Sequence, residues 1–108
     1  MPPHDPAALL TVYVSIGNSD DKLTQREWAR FVQDTGYAVH RQAREVHGVW
    51  LSPPDWEYQN ACFCLEIPRD EVRFLKAELA GLCETYRQDS IAWAEAPATE
   101  FIHAGQAP

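Results

Sequence analysis

Val46-His-Gly-Val-Trp-Leu-Ser52, Pro53-Pro-Asp-Trp-Glu-Tyr-Gln59 and Asn60-Ala-Cys-Phe-Cys-Leu-Glu-Ile67, closed by Pro68, decide the fold of this chain. The first and third runs are rich in β-branched, aromatic and other apolar residues of strand length. In the third, Ala61, Phe63, Leu65 and Ile67 fall on one face and Cys62, Cys64 and Glu66 on the other. Between the two runs Pro53-Pro54-Asp55 forces a loop. Two successive strands therefore stand in the middle of the chain.

Working outward, Val12, Val14 and Ile16 alternate with Tyr13 and Ser15, which predicts a strand over Thr11 to Ile16. Gly17-Asn18-Ser19-Asp20-Asp21 breaks it. Leu23-Thr24-Gln25-Arg26-Glu27-Trp28 has the spacing of a capping box, Thr24 with Glu27, and of a hydrophobic staple, Leu23 with Trp28. A helix follows from Thr24 to about Arg44, with Gly36 as its one weak point. Past Pro68, Asp70 and Glu71 suit a helix start. Val72, Leu75, Leu79, Leu82, Cys83 and Tyr86 then make a buried stripe. Ser90 to Glu95 reads as a fourth strand with Ile91 and Trp93 on one face, and Glu100-Phe101-Ile102 as a short extension. Trp28, Trp50 and Trp93 are expected in the core.

The order β-α-β-β-α-β predicts an α+β, ferredoxin-like domain: a four-stranded antiparallel sheet with two helices on one face. Its span is 11–103, between a flexible Pro-rich leader, 1–10, and a flexible tail, 104–108. One domain suits 108 residues. A net charge of −7 argues against a nucleic-acid backbone as partner. No stretch is apolar enough for a membrane span and no signal peptide opens the chain. Three cysteines, Cys62, Cys64 and Cys83, read as reduced residues of a cytoplasmic protein. A zinc set could be drawn from them with His47, but the Cys-x-Cys spacing does not suit it, and neither metal nor cofactor is assigned.

This topology brings three connections to one edge of the sheet, and they are the most polar stretches of the domain. From them come the candidate ligand-binding residues: Asn18, Ser19, Asp20, Asp21 and Lys22; Trp56, Gln59 and Asn60; Arg87, Gln88, Asp89 and Ser90. Asn18, Asn60 and Gln88 offer donors and acceptors, Trp56 a stacking face, and Lys22 or Arg87 a charge for an anion. Turn chemistry alone accounts equally well for many of these residues. A small enzyme using Asp20, Asp21 and Asp89 as acid/base groups or divalent-metal ligands is the alternative, with Asp55 as a further oxygen ligand. His47 lies at the far end of its strand from this edge, and Ser19 and Ser90 lack a nucleophile elbow. Tyr13, Ser15, Cys62, Cys64, Ala92 and Ala94 face away from the helices. That surface is too apolar to stay wet, which predicts a homodimer through the open sheet face.

Ile16-Gly-Asn-Ser-Asp-Asp-Lys-Leu-Thr-Gln-Arg-Glu-Trp28, Gln59-Asn-Ala-Cys62, Tyr86-Arg-Gln-Asp-Ser-Ile-Ala-Trp93 and Thr99-Glu-Phe101 carry a resemblance over nearly the whole ordered chain. The chain resembles a family of small uncharacterised proteins of actinobacteria and their phages. The resemblance implies a source and no activity, cofactor or catalytic residue. A phage or mobile-element protein that inhibits a host protein is a third reading.

Overall fold

The computed structural model describes residues 8–108. Residues 1–7 of the leader expected at 1–10 lie outside them. Strand β1 (Leu9–Gly17) leads to helix α1 (Gln25–Gln42), then β2 (Glu45–Leu51), β3 (Asn60–Pro68), a 3-10 turn at Arg69–Glu71, α2 (Val72–Thr85) and β4 (Ala92–Ala96). The sheet order is β2-β3-β1-β4 and every neighbouring pair is antiparallel. This is the ferredoxin-like arrangement. β1 and β2 run the same way with β3 inserted between them, and β3 and β4 run the other way with β1 between them.

The local chemistry of α1 is as its sequence predicts. The Thr24 hydroxyl accepts from the Glu27 N–H at 3.1 Å, and the Glu27 carboxylate accepts from the Thr24 N–H at 3.0 Å. Leu23 and Trp28 are both buried beside this cap. Gly36 does not break the helix; it lies beside the Phe63 ring, where an added Cβ would make an ordinary van der Waals contact at 3.6 Å. The Thr24→Ala variant is expected to lose about 1 kcal/mol, read as a lowered midpoint in urea with an unchanged slope.

Inward-facing Val12, Val14 and Ile16 of β1 and Ala61, Phe63, Leu65 and Ile67 of β3 form one core with Phe31 and Val39 of α1 and Leu75 and Leu79 of α2. Phe31 is its aromatic centre, stacked on Tyr86 at 4.8 Å between ring centroids and edge-on to Trp28 at 6.2 Å. Burial and a hydrogen bond to Asp34 push the Tyr86 hydroxyl up to about 12. It is therefore a neutral donor to Asp34 at neutral pH.

Three sequence expectations are corrected. β1 takes in Leu9 and Leu10, which pair with Pro68 and Ile67, so the strand begins inside the stretch assigned to the leader. Glu100, Phe101 and Ile102 form no strand, and Phe101 and Ile102 project into solvent. Trp50 is not a core residue but 50 % exposed. The cause is a β-bulge. Val46 pairs with Leu65 and Gly48 with Cys64, so His47 is an extra residue. Strict alternation from the inward Val46 would turn Trp50 inward as well. The extra residue reverses the parity, and Trp50 pairs with Cys62 on the open face while Val49 and Leu51 turn towards the helices. Trp28 is buried and Trp93 packs partly buried against the core, as expected.

Candidate functional site

The register defines one edge of the sheet. Gly17 at the end of β1 pairs with Asn60 at the start of β3, Leu51 at the end of β2 with Ala61, and Ser15 with Ala92 at the start of β4. The connections 18–24, 52–59 and 86–91 therefore emerge side by side. The structure brings the sequence-predicted residues to this edge, but it divides them into inward and outward groups.

Asn18 and Gln59 point inward. They are 2 % and 5 % exposed. The Asn18 side-chain carbonyl accepts from the Leu23 N–H at 3.0 Å, and its amide donates to the Leu23 carbonyl at 3.1 Å and to Gln59 Oε1 at 3.2 Å. Gln59 and Gln25 exchange two amide bonds, at 2.9 and 2.7 Å, and the Asn18 N–H donates to the Gln59 carbonyl at 2.8 Å. Most of the hydrogen-bonding capacity of the Asn18 amide is spent on the protein itself. The network ties the first turn of α1 and the β1–α1 loop to the β2–β3 loop.

Lys22 and Arg87 stitch the β1–α1 loop to the α2–β4 loop. Lys22 Nζ donates to the Arg87 carbonyl at 3.4 Å and lies 3.6 Å from Asp20 and 3.7 Å from Asp89. Arg87 Nη2 donates to the Lys22 carbonyl at 3.3 Å and to Glu27 at 2.9 Å. The Thr24 N–H first, and then the Arg87 guanidinium, hold the Glu27 carboxyl below the usual carboxylate range. A depressed folded-state value means that this stabilisation is present above the unfolded value, about pH 4.3, and is lost as pH falls through the folded one. Asp21 and Arg87 take positive φ, 57° and 56°, at the sharp bends of their loops. Both cations are thus engaged within the protein, and Asp20 and Asp89 flank Lys22. Ser19, Asp20, Gln88, Asp89 and Ser90, with Gly17, line a shallow groove of about 200 Å³.

The outward-facing chemistry lies on the other side of the edge. Between the first turns of α1 and the β2–β3 loop is a cleft of about 340 Å³. Trp28, Ala29, Val32, Leu51 and Pro54 form its apolar walls, and Gln25, Ser52, Gln59 and Asn60 bring polar groups to it. Ser52 accepts from the Asn60 N–H at 3.0 Å, and Asn60 donates from its side chain to the Tyr58 carbonyl at 3.0 Å, which fixes the mouth of the loop. Trp56 and Tyr58 project from that loop, Trp56 at 53 % exposure. The sequence marked Trp56, Gln59 and Asn60 but not Gln25, Ala29, Val32 or Leu51. Those four sit within regular elements, and their common cleft exists only once α1 is laid against β2. Gln25, the residue after the N-cap, was the most findable, because the first turn of α1 must face the loop edge.

Cys62, Cys64 and Cys83 are free thiols, and the sheet separates the first two from the third, so they do not form one metal set with His47. Among the described residues no helix is long and apolar enough to cross a membrane. No protein-family model, no curated protein and no solved structure matches this chain.

Proposed function

We propose that the protein is a small binding domain of the cytoplasm, homodimeric through its open sheet face, that holds a small molecule at the three-loop edge. The ligand sits in the cleft between α1 and the β2–β3 loop. The observation that carries this reading is the cleft itself: apolar walls, a few fixed polar groups at one end, and a hydrogen-bonded frame that holds it open. Its volume suits a fragment-sized molecule with a flat apolar body and one polar end, such as a nucleobase or an aromatic metabolite. Asp20, Asp21, Asp55, Glu57 and Asp89 surround the edge, and its cations Lys22 and Arg87 are engaged in ion pairs. A neutral or cationic ligand is favoured over a phosphate.

The test is a ligand-observed NMR and thermal-shift screen of nucleosides, free bases, indoles and aromatic amino acids, with wild type beside Ala29→Trp. Ala29 is exposed on α1, so an indole there fills the cleft without entering the core. A ligand at 100 times its Kd adds about 2.7 kcal/mol of stability. Hits that raise the melting temperature of wild type and vanish in a folded Ala29→Trp variant support the reading. A panel without hits, or hits that survive the filled cleft, would sink it.

A further inference from the structure

The β-bulge that exposes Trp50 also gathers a second group of side chains, at the far end of the sheet from the loop edge. Glu45 stands directly opposite Glu66 in the β2–β3 register. Like charges directly opposite one another on the same face of a sheet repel. Among the described residues neither carboxylate has a lysine or arginine partner; the one contact is His47 Nε2 at 3.2 Å from Glu66. His47 is the extra residue of the bulge, between the inward Val46 and the outward Gly48, and its ring reaches Glu66 on the open face. One ligand atom from each of Glu45, His47 and Glu66 lies within 4.8 Å of the others.

The geometry points to a divalent transition-metal site, zinc being the natural occupant, held by the His47 imidazole and the Glu45 and Glu66 carboxylates. One nitrogen and two oxygen donors are a set that zinc accepts, with bonds of about 2.0–2.2 Å. Closing the donors round such an ion takes small rotations of side chains that are already partly in solvent. A +2 ion removes the Glu45–Glu66 repulsion, and three protein ligands leave a position for water or an exchangeable ligand. The site is independent of the cleft, which lies at the opposite end of the strands.

The experiment uses full-length protein with any affinity tag removed. Zn²⁺ is titrated calorimetrically and Co²⁺ by its visible absorption, into wild type, His47→Ala and Glu66→Gln. Both residues are surface groups, and far-UV circular dichroism checks that the variants fold. The expected result is one ion per chain in wild type, a Co²⁺ spectrum without thiolate charge-transfer bands, and binding weakened by more than the ~10–100-fold that losing a group which merely orients a ligand costs. Three results would overturn the assignment: no saturable binding, equal binding in the variants, or thiolate bands that place the ion on Cys62 and Cys64, which share this face.

Discussion

Asn18→Ala is expected to destabilise the domain by about 2–4 kcal/mol. Removing the side-chain amide takes away two hydrogen bonds to the Leu23 backbone and one to Gln59. The Leu23 N–H and carbonyl lose these partners inside a buried corner, at about 1–3 kcal/mol for each group left unsatisfied. Water entering the small space left by the amide recovers part of that cost, which keeps the total below the sum. The corner also holds Leu23 over Trp28, so loosening it frees the start of α1. At about 4–8 °C per kcal/mol for a domain near this size, the melting temperature falls by about 8–32 °C. Urea unfolding of wild type, Asn18→Ala and the outward Ser19→Ala measures it, with Ser19→Ala expected within about 0.5 kcal/mol of wild type. A loss below that value for Asn18→Ala would mean that the amide is dispensable to the frame and free to serve a ligand. Gln59→Ala should be partly non-additive with Asn18→Ala, because the two side chains share a bond.

That result bears on how much of the site could be read before the fold was known. Parity and capping are local, and they were legible. Thr24 and Glu27 are three positions apart, and the alternation of Ala61, Phe63, Leu65 and Ile67 needs no partner to be seen. The grouping of three polar loops at one edge followed from element order alone. The direction in which each side chain points did not follow. Asn18 and Gln59 are 41 positions apart, and each alone has the profile of a solvent-facing turn residue. Only their meeting across the chain makes them interior groups. The bulge at His47 is harder still. A single extra residue leaves composition and length unchanged but reverses every later face of β2, moving Trp50 outward and Val49 and Leu51 inward. The cleft walls, the corrected tryptophan and the Glu45–His47–Glu66 cluster all depend on contacts between elements, and single-chain patterning does not encode them.

The bulge also strengthens the case for self-association, and here the largest change in behaviour is expected from one substitution. Trp50 joins Tyr13, Cys62, Cys64, Ala92 and Ala94 on the open face, and in the register Ala92, Ser15, Cys62 and Trp50 form one row across all four strands. Small residues at the middle of that row let a second sheet approach closely, while Tyr13 and Trp50, 41 % and 50 % exposed, supply the aromatic area that binding surfaces use. Four strands about 4.8 Å apart make a patch of about 20 by 25 Å, or about 1,000 Å² over both partners, at the threshold for a specific interface. Tyr13 is on the central strand β1 and outside the core, so Tyr13→Glu should leave the fold intact. In a two-fold dimer it places a carboxylate against the partner's sheet twice over, and burying an unpaired charge costs several kcal/mol. Wild type at tens of micromolar in about 0.15 M salt, which screens the repulsion between two acidic chains, should sediment as a dimer. Tyr13→Glu should sediment as a monomer with unchanged circular dichroism, its dissociation constant raised more than ~100-fold. Tyr37→Glu, at a tyrosine on α1 that is more exposed still at 55 %, controls for charge alone and should stay dimeric. A monomeric wild type, or a Tyr13→Glu protein that remains dimeric, would remove the sheet face as the interface and leave its aromatic row to be explained by a different partner.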